Sequence, residues 1–270
     1  MKAKLTGVAC LFLIGMAGSA LAQCGNGPAG FNAWLQRFRL QAAAQGIRSG
    51  TVLAALSDVT YDPKVIRLDH SQRSFKLSFE QFYARRVNNA MIRHGRTLMQ
   101  RHRGLLDRIE QRFGVPAAVI VAIWGLETNY GANLGAHYSI IRSLATLSYD
   151  CRRSAFFTGQ LLDALKIVEE GDLTPAQLRG GWAGEIGQTQ FLPTPYIKYA
   201  VDFDGDGRKD LINSVPDVLA STANFLASHG WQRGAGWQIG SANYGVIAEW
   251  NKADVYDRTI AAMADQLAGR

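Results

Sequence analysis

Along most of this chain, apolar residues recur at intervals of three and four, the spacing of amphipathic helices, and runs that alternate every second residue are scarce. Phe31, Trp34, Leu35, Phe38 and Ala42 set the rhythm over residues 31–46, and a shorter helix is expected over 49–56. Tyr61-Asp62-Pro63 interrupts it. One helix with a dense basic load is predicted from Arg85 to His102, followed by helices over 104–113, 116–127, 139–148, 153–169, 174–179, 193–200, 214–229 and 253–267. The Gly-rich stretch from Gly230 to Trp237 reads as a loop. A mainly α chain is expected, with no fixed-period repeat and no low-complexity segment.

Of these helices, 116–127 stands apart. Val115 to Leu126 runs twelve residues without a charge and then delivers Glu127, followed by Thr128-Asn129-Tyr130-Gly131. Pro116 suits a helix start and the Thr-Asn-Tyr-Gly tail its end, so Glu127 falls at a helix C-terminus. Apolar surroundings and the negative end of the helix dipole both disfavour the ionised carboxyl, which is how a general acid is made. The alternative is a last-turn Glu that reaches solvent.

Composition narrows the picture. With 47% hydrophobic and 19% charged residues in 270, the chain is globular. Lys2 and Lys4, the apolar stretch Leu5 to Ala17 and Ala20-Leu21-Ala22 form a secretory signal peptide over 1–22, with the mature chain beginning at Gln23 and located in the periplasm. No later segment looks like a transmembrane span. Cys24 follows closely enough to raise a lipoprotein reading, but Gln23 is not the small residue lipid attachment wants, so a soluble exported protein is expected. Cleavage leaves Cys24 and Cys151. In an oxidising compartment one disulfide is the natural pairing, closing a loop worth about 4 to 5 kcal/mol in chain entropy; two free thiols are the alternative. The net charge of +7, or +5 after cleavage, suits an anionic partner. Export and the lack of a long Lys/Arg run argue against nucleic acid.

Motif absences exclude several chemistries. There is no His-Glu-x-x-His, Cys-x-x-Cys, Gly-x-Ser-x-Gly or Walker-type loop, and the five histidines are scattered. A second informative segment runs from Gly180 to Pro195, where glycines allow close backbone approach, Gln188, Thr189 and Gln190 offer donors and acceptors, and Trp182 and Phe191 offer flat faces. Amides beside aromatics suit a sugar; a turn-rich connection is the plainer alternative. Asp202-Phe-Asp-Gly-Asp-Gly-Arg-Lys-Asp210 looks like the front half of a calcium loop, with Asp202, Asp204 and Asp206 as ligands and Arg208 at the position that offers a carbonyl. An Asp/Gly turn held by its own side-chain bonds is the alternative.

Trp124-Gly-Leu-Glu-Thr-Asn-Tyr-Gly131 together with Gly181-Trp-Ala-Gly-Glu-Ile-Gly-Gln-Thr-Gln-Phe-Leu-Pro193 resembles the membrane-bound lytic murein transglycosylase B family. In that family the acid sits in Glu-Ser/Thr-Asn-Phe/Tyr-Gly and the second motif reads Ala-Gly-x-x-Gly-Gln-x-Gln-Phe-x-Pro. Tyr149, Arg152-Arg153, Phe156-Phe157, the Asp-rich loop, Asp217 to Phe225 and Trp250-Asn251 resemble further family segments in the same order. The resemblance implies a lysozyme-like transglycosylase core over 101–270, with an N-terminal helical subdomain over 23–100 packed on it. It implies a carbon-oxygen lyase that cleaves the β-1,4 bond between N-acetylmuramic acid and N-acetylglucosamine in peptidoglycan glycan strands and leaves 1,6-anhydro-muramyl ends.

By the same resemblance Glu127 is the sole acid and base, and no cofactor is needed for the chemistry. Arg152 and Arg153 would face the glycan or its peptide, Gln190 would bond near the catalytic centre, and Phe225, Asn251 and Tyr83 would line the sugar groove. Asp217 would close a structural calcium site in place of a ligand at Asn213. Glu185 stands where the family keeps no acid and is taken as a bystander or rim residue. Gly181, Phe225 and Trp250 depart from Ser, Tyr and Tyr of other members, each losing a hydroxyl. Two rivals stay open: a hydrolytic muramidase, and a non-catalytic peptidoglycan-binding envelope protein.

Overall fold

The computed structural model describes residues 24–72 and 77–270, so the expected signal peptide lies outside the described residues. A disulfide between Cys24 and Cys151 ties the start of the described chain to a loop 127 residues further on. Helix α1 (Phe31–Ala44) buries Phe31, Trp34, Leu35, Phe38 and Ala42, the stripe its spacing predicts. Its aromatic rings pack with Tyr61 and Tyr149. Helix α2 (Ser49–Leu56) follows. Where the sequence suggested only a break, Asp62 caps α3 (Pro63–Ser71): its carboxylate accepts from Lys64 N at 2.9 Å, and Pro63 occupies the first turn.

The helix expected from Arg85 to His102 starts only at Asn89, and Arg85 and Arg86 instead end a separate helix that precedes it. Helix α4 (Phe79–Arg86) opens with a Ser78/Gln81 capping box, and Asn88 then caps α5 (Asn89–Arg101), accepting from Met91 N at 3.0 Å. Asn serves a cap better than a helix interior, so the helix restarts there. Helix α6 (Arg103–Phe113) stops at Gly114, which is left-handed at φ 78°. Helix α7 (Ala117–Thr128) buries ten of its twelve residues, and each large aliphatic side chain so covered contributes about 1.5 to 3 kcal/mol.

A two-residue antiparallel pair, β1 (Tyr138–Ser139) with β2 (Arg179–Gly180), flanks the hairpin of α8 (Ile140–Tyr149) and α9 (Ser154–Glu170). The helix expected over 174–179 does not form. Thr174 and Gln177 close a single turn through backbone and side chain, and Arg179 pairs with Ser139 instead. Six residues give too few helical bonds to offset the cost of starting one. Helices α10 (Pro193–Tyr199), α11 (Val215–Ser228), α12 (Tyr244–Trp250) and α13 (Asp254–Leu267) complete the chain, α12 being absent from the predicted set.

Helix α7 sits at the centre, packed by α5, α6, α11 and α13, which is why it is apolar on every face. Helices α1, α2 and α3 rest on α8 and α9, while α4 and α5 lean on α13. The C-terminal end of α7 is therefore where the helices after residue 240, α4–α5 and the Gly180–Pro195 segment can all reach one side chain.

Candidate active site

Helix α7 ends abruptly. Asn129 (φ 52°), Tyr130 (φ 62°) and Gly131 (φ 82°) are all left-handed, which turns the chain away just after Glu127. Tyr130 is held there by donating to Met91 O at 2.9 Å. Gly131 has a steric reason to be glycine: a Cβ would stand 2.4 Å from Gln188 Oε1. That same oxygen accepts from Trp124 Nε1 at 2.8 Å, while Thr128 Oγ1 donates to Gln188 O at 2.5 Å and Gln188 Nε2 donates to Ile212 O at 2.9 Å. The two sequence motifs are thus bonded to each other, and Gln188 is the joint.

Glu127 sits where two cavities of about 490 and 440 Å³ meet. Trp250 Nε1 donates to its Oε1 at 2.9 Å, and Tyr256 Oη donates to the same oxygen at 2.8 Å. Burial pushes the Glu127 carboxyl above its ordinary pKa. The Trp250 and Tyr256 bonds and the Arg86 charge pull it back, and the Glu185 charge adds to the rise. Its place in the last turn of α7 works in the same direction as burial. Because both donors converge on Oε1, Oε2 is the oxygen that takes the proton whenever the carboxyl is neutral.

The cavity on the aromatic side is lined by Arg153, Phe157, Gln190, Phe191, Phe225, Trp250 and Asn251 along with Glu127. Gln190 is left-handed at φ 55° and its amide nitrogen donates to Gly187 O at 2.7 Å and Leu134 O at 3.3 Å, so its carbonyl oxygen is the end left for a ligand. Phe225 packs edge-on against Trp250 at 5.0 Å. Asn251 Oδ1 accepts from Ala253 N at 2.9 Å, fixing the corner between α12 and α13. Glu185 lines this cavity with Glu127; its Oε2 accepts from Ala183 N at 3.0 Å, and burial raises its pKa. The glycine at 181 makes room for it, since a Cβ there would stand 2.1 Å from Glu185 Oε2.

Three expectations are corrected. Arg152 does not line either cavity; its Nη1 donates to Asp69 Oδ2 at 2.6 Å and to Asp69 O at 2.8 Å, because that buried carboxylate needs a counter-charge. Arg153 bonds the same Asp69 yet keeps its guanidinium over Phe157 and at the cavity wall. Burial works to raise the Asp69 pKa, but its two arginines outweigh it and hold the carboxyl below the ordinary range. Tyr83 packs against Phe79 and lines neither cavity. In the Asp-rich loop, Asp202, Asp204 and Asp217 bring carboxylate oxygens within 4.8 Å of one another, a fit for a hard cation. Asp206 falls outside that cluster, its Oδ1 taken up by the Arg208 N–H at 2.8 Å.

No sequence pattern singles out Tyr256 or Arg86, and Trp250, expected to bring the loss of a hydroxyl, instead reaches the acid with its indole N–H. The available signal was general: Tyr and Trp on buried faces need a partner for their polar tip.

Residues 30–242 match the family model described as the transglycosylase SLT domain. The membrane-bound lytic murein transglycosylase B of Escherichia coli (strain K12) is 38% identical over 144 residues, 53% of this chain and 39% of that protein, so the aligned part spans well under half of that relative. The structure of SltB3 from Pseudomonas aeruginosa in complex with NAG-NAM-pentapeptide is 33% identical, covers 89% of this chain and 80% of that one, and superposes with a TM-score of 0.84; a NAG-anhNAM-pentapeptide complex of SltB3 matches equally well. The Escherichia coli transglycosylase Slt35 with calcium shares the fold, at 23% identity, a TM-score of 0.76 and coverage of 94% and 98%. A mainly α, lysozyme-like core around the buried Glu127, framed by two bonded motifs and matched from residue 30 to residue 242, means that this chain belongs to the transglycosylase SLT domain family.

Proposed function

We propose that this protein is a lytic transglycosylase of peptidoglycan, with Glu127 as its only acid and base. The observation that carries this is the buried Glu127 carboxyl, its pKa raised by that burial, with Oε1 held by Trp250 and Tyr256 and Oε2 left for a glycosidic oxygen. Glu127 protonates the oxygen leaving C1 of the muramyl residue, and the N-acetyl carbonyl of that sugar takes up the electron-poor C1. The Glu127 carboxylate then removes the C6 hydroxyl proton as O6 bonds to C1 and displaces the N-acetyl oxygen, which returns to its acetamide. The proton returns to Glu127, no water is consumed, and a 1,6-anhydro ring results. Arg153, Gln190, Phe225 and Asn251 line the cavity where the sugars would lie. The SltB3 complexes, with NAG-NAM and NAG-anhNAM ligands, support this reading by likeness.

Glu185 favours a second reading. A second carboxylate in the same cavity could activate water and turn part of the flux to hydrolysis. Mass spectrometry of peptidoglycan digested by the wild type and Glu127→Gln separates the outcomes. Anhydro-muropeptides from wild type alone support the transglycosylase; reducing ends support the muramidase; a folded wild type without products leaves a binding protein.

Export to the periplasm fits the disulfide, and the Cys24 sulfur bonded to Cys151 has no thiol left for a lipid. Among the described residues no single helix is long and apolar enough to cross a membrane. Asp202, Asp204 and Asp217 would hold a calcium ion, which would neutralise their mutual repulsion and order the loop. A melting temperature raised by calcium and lowered by a chelator, with neither effect in Asp217→Asn, supports that site.

A further inference from the structure

The positive charge of this protein is not spread over its surface. Residues 85–112 contain eight arginines against Asp107 and Glu110, a net +6 out of +7 for the whole chain. On α5, Ile92, Gly95 and Leu98 face inward, and Arg93, Arg96 and Arg101 are exposed on the other side. Helix α6 adds exposed Arg103, Arg108 and Arg112. Several of these are engaged: Arg96 donates to Gln266 O at 2.5 Å, Arg103 is 3.9 Å from Asp107, and Arg112 lies over Phe113 and Phe203. The guanidinium groups of Arg93, Arg101 and Arg108 have no such partner among the described residues. Unpaired like charges gathered on one pair of helices repel one another, the more so at low ionic strength, and a polyanion lying across them relieves that repulsion.

We infer that the exposed arginine face of α5 and α6 docks the acidic peptide stems of peptidoglycan while the glycan occupies the cavities at Glu127. This rests on the proposed substrate. Continuity supports it, since Arg85, Asn88 and His94, at the end of α4 and along α5, line the larger cavity together with Glu127. Arg93 is the neighbour of His94 and faces outward, so a strand seated at Glu127 carries its next stems over this face. From Arg93 to Arg101 the face runs about 12 Å along the helix. Stems carry free carboxylates, and guanidinium forks pair with carboxylates in bidentate fashion. An anionic membrane is the weaker match, because a helix lying on lipid buries large apolar side chains beside its cations. Among the described residues the exposed large hydrophobics are Leu40, Leu53, Phe156 and Ile239, none of them within 85–112.

The test uses the full chain carrying Glu127→Gln, so that binding is read without cleavage. It is co-sedimented with purified insoluble peptidoglycan, with glycan strands stripped of stems by an amidase, and with phosphatidylglycerol vesicles. Arg93→Gln/Arg101→Gln/Arg108→Gln is expected to weaken binding to intact peptidoglycan about tenfold or more at low salt, with the difference vanishing at high salt. The matching Lys triple, which keeps the charge, retains most of the affinity. On stemless glycan the parent and the Gln triple bind alike. Equal binding of both to intact peptidoglycan overturns the inference, as does undiminished binding of the parent to stemless glycan. So does an arginine-dependent uptake on vesicles with none on peptidoglycan. Product analysis of the active wild type is independent of all three, so a docking face on a protein that cleaves nothing would sink the catalytic reading alone.

Discussion

Replacing Tyr256 by Phe tests how the acid is tuned. The substitution removes one of two donors on Glu127 Oε1 and leaves the ring packed against Phe82. A hydrogen bond to a charged acceptor is worth about 1.5 to 3 kcal/mol and one between neutral groups about 0.5 to 1.5, so the ionised Glu127 loses roughly 1 to 1.5 kcal/mol more than the neutral acid. At about 1.4 kcal/mol per pH unit, the alkaline limb of kcat/KM moves upward by about one unit. The sign follows from the order of effects at Glu127, where burial already favours the neutral form and the two donors oppose it. Trp250→Phe, which removes the other donor, moves the limb the same way. The assay is the initial rate of anhydro-muropeptide release from about pH 4 to about pH 9. A limb that stays in place or moves downward in both variants refutes the assignment of Trp250 and Tyr256 as the groups that set the acid.

Further outcomes follow from the same geometry. Glu127→Gln abolishes product release yet raises the melting temperature at neutral pH, by about 2 to 4 °C for each kcal/mol recovered. A carboxyl whose folded pKa is raised costs stability above its unfolded pKa, so the gain shrinks toward zero as the scan is repeated at acidic pH. Gly181→Ser displaces the Glu185 carboxylate and lowers kcat/KM, while Gly181→Ser/Glu185→Ala recovers most of the loss; a coupling below about 0.5 kcal/mol would show that the two positions do not share space. Cys24→Ser lowers stability to denaturant by up to about 5 kcal/mol, the chain-entropy value of so long a loop, and a reductant does the same to wild type but nothing to the variant.

Much of the fold was legible because its causes are local. The stripe of Phe31, Trp34, Leu35 and Phe38 defines a helix by side-chain spacing, and the uncharged run before Glu127 does so by its Pro116 start and Thr-Asn-Tyr-Gly end; both helices form. The errors arose where a short-range device competed with periodicity. Asn88 splits a helix by capping, Asp62 starts one at an apparent break, and Thr174 closes a turn whose next residues pair with β1. Each depends on one side-chain bond that a pattern of apolar positions does not register.

For the site, the sequence alone determined that one carboxyl stands at the end of an apolar helix, because a charge after twelve uncharged residues is visible without coordinates. It also placed the glycines and amides that meet it, because close approach requires Gly and satisfaction of buried groups requires Gln or Thr. Only the tertiary structure decided what surrounds that carboxyl. Trp250 and Tyr256 lie 123 and 129 residues away, Arg86 comes from α4, and Arg152 is drawn off to a buried Asp69 that nothing near it in sequence announces. Desolvation and hydrogen bonding act over a few ångströms in space whatever the separation along the chain, so the pKa of Glu127 is a property of the packed helices and not of its own segment.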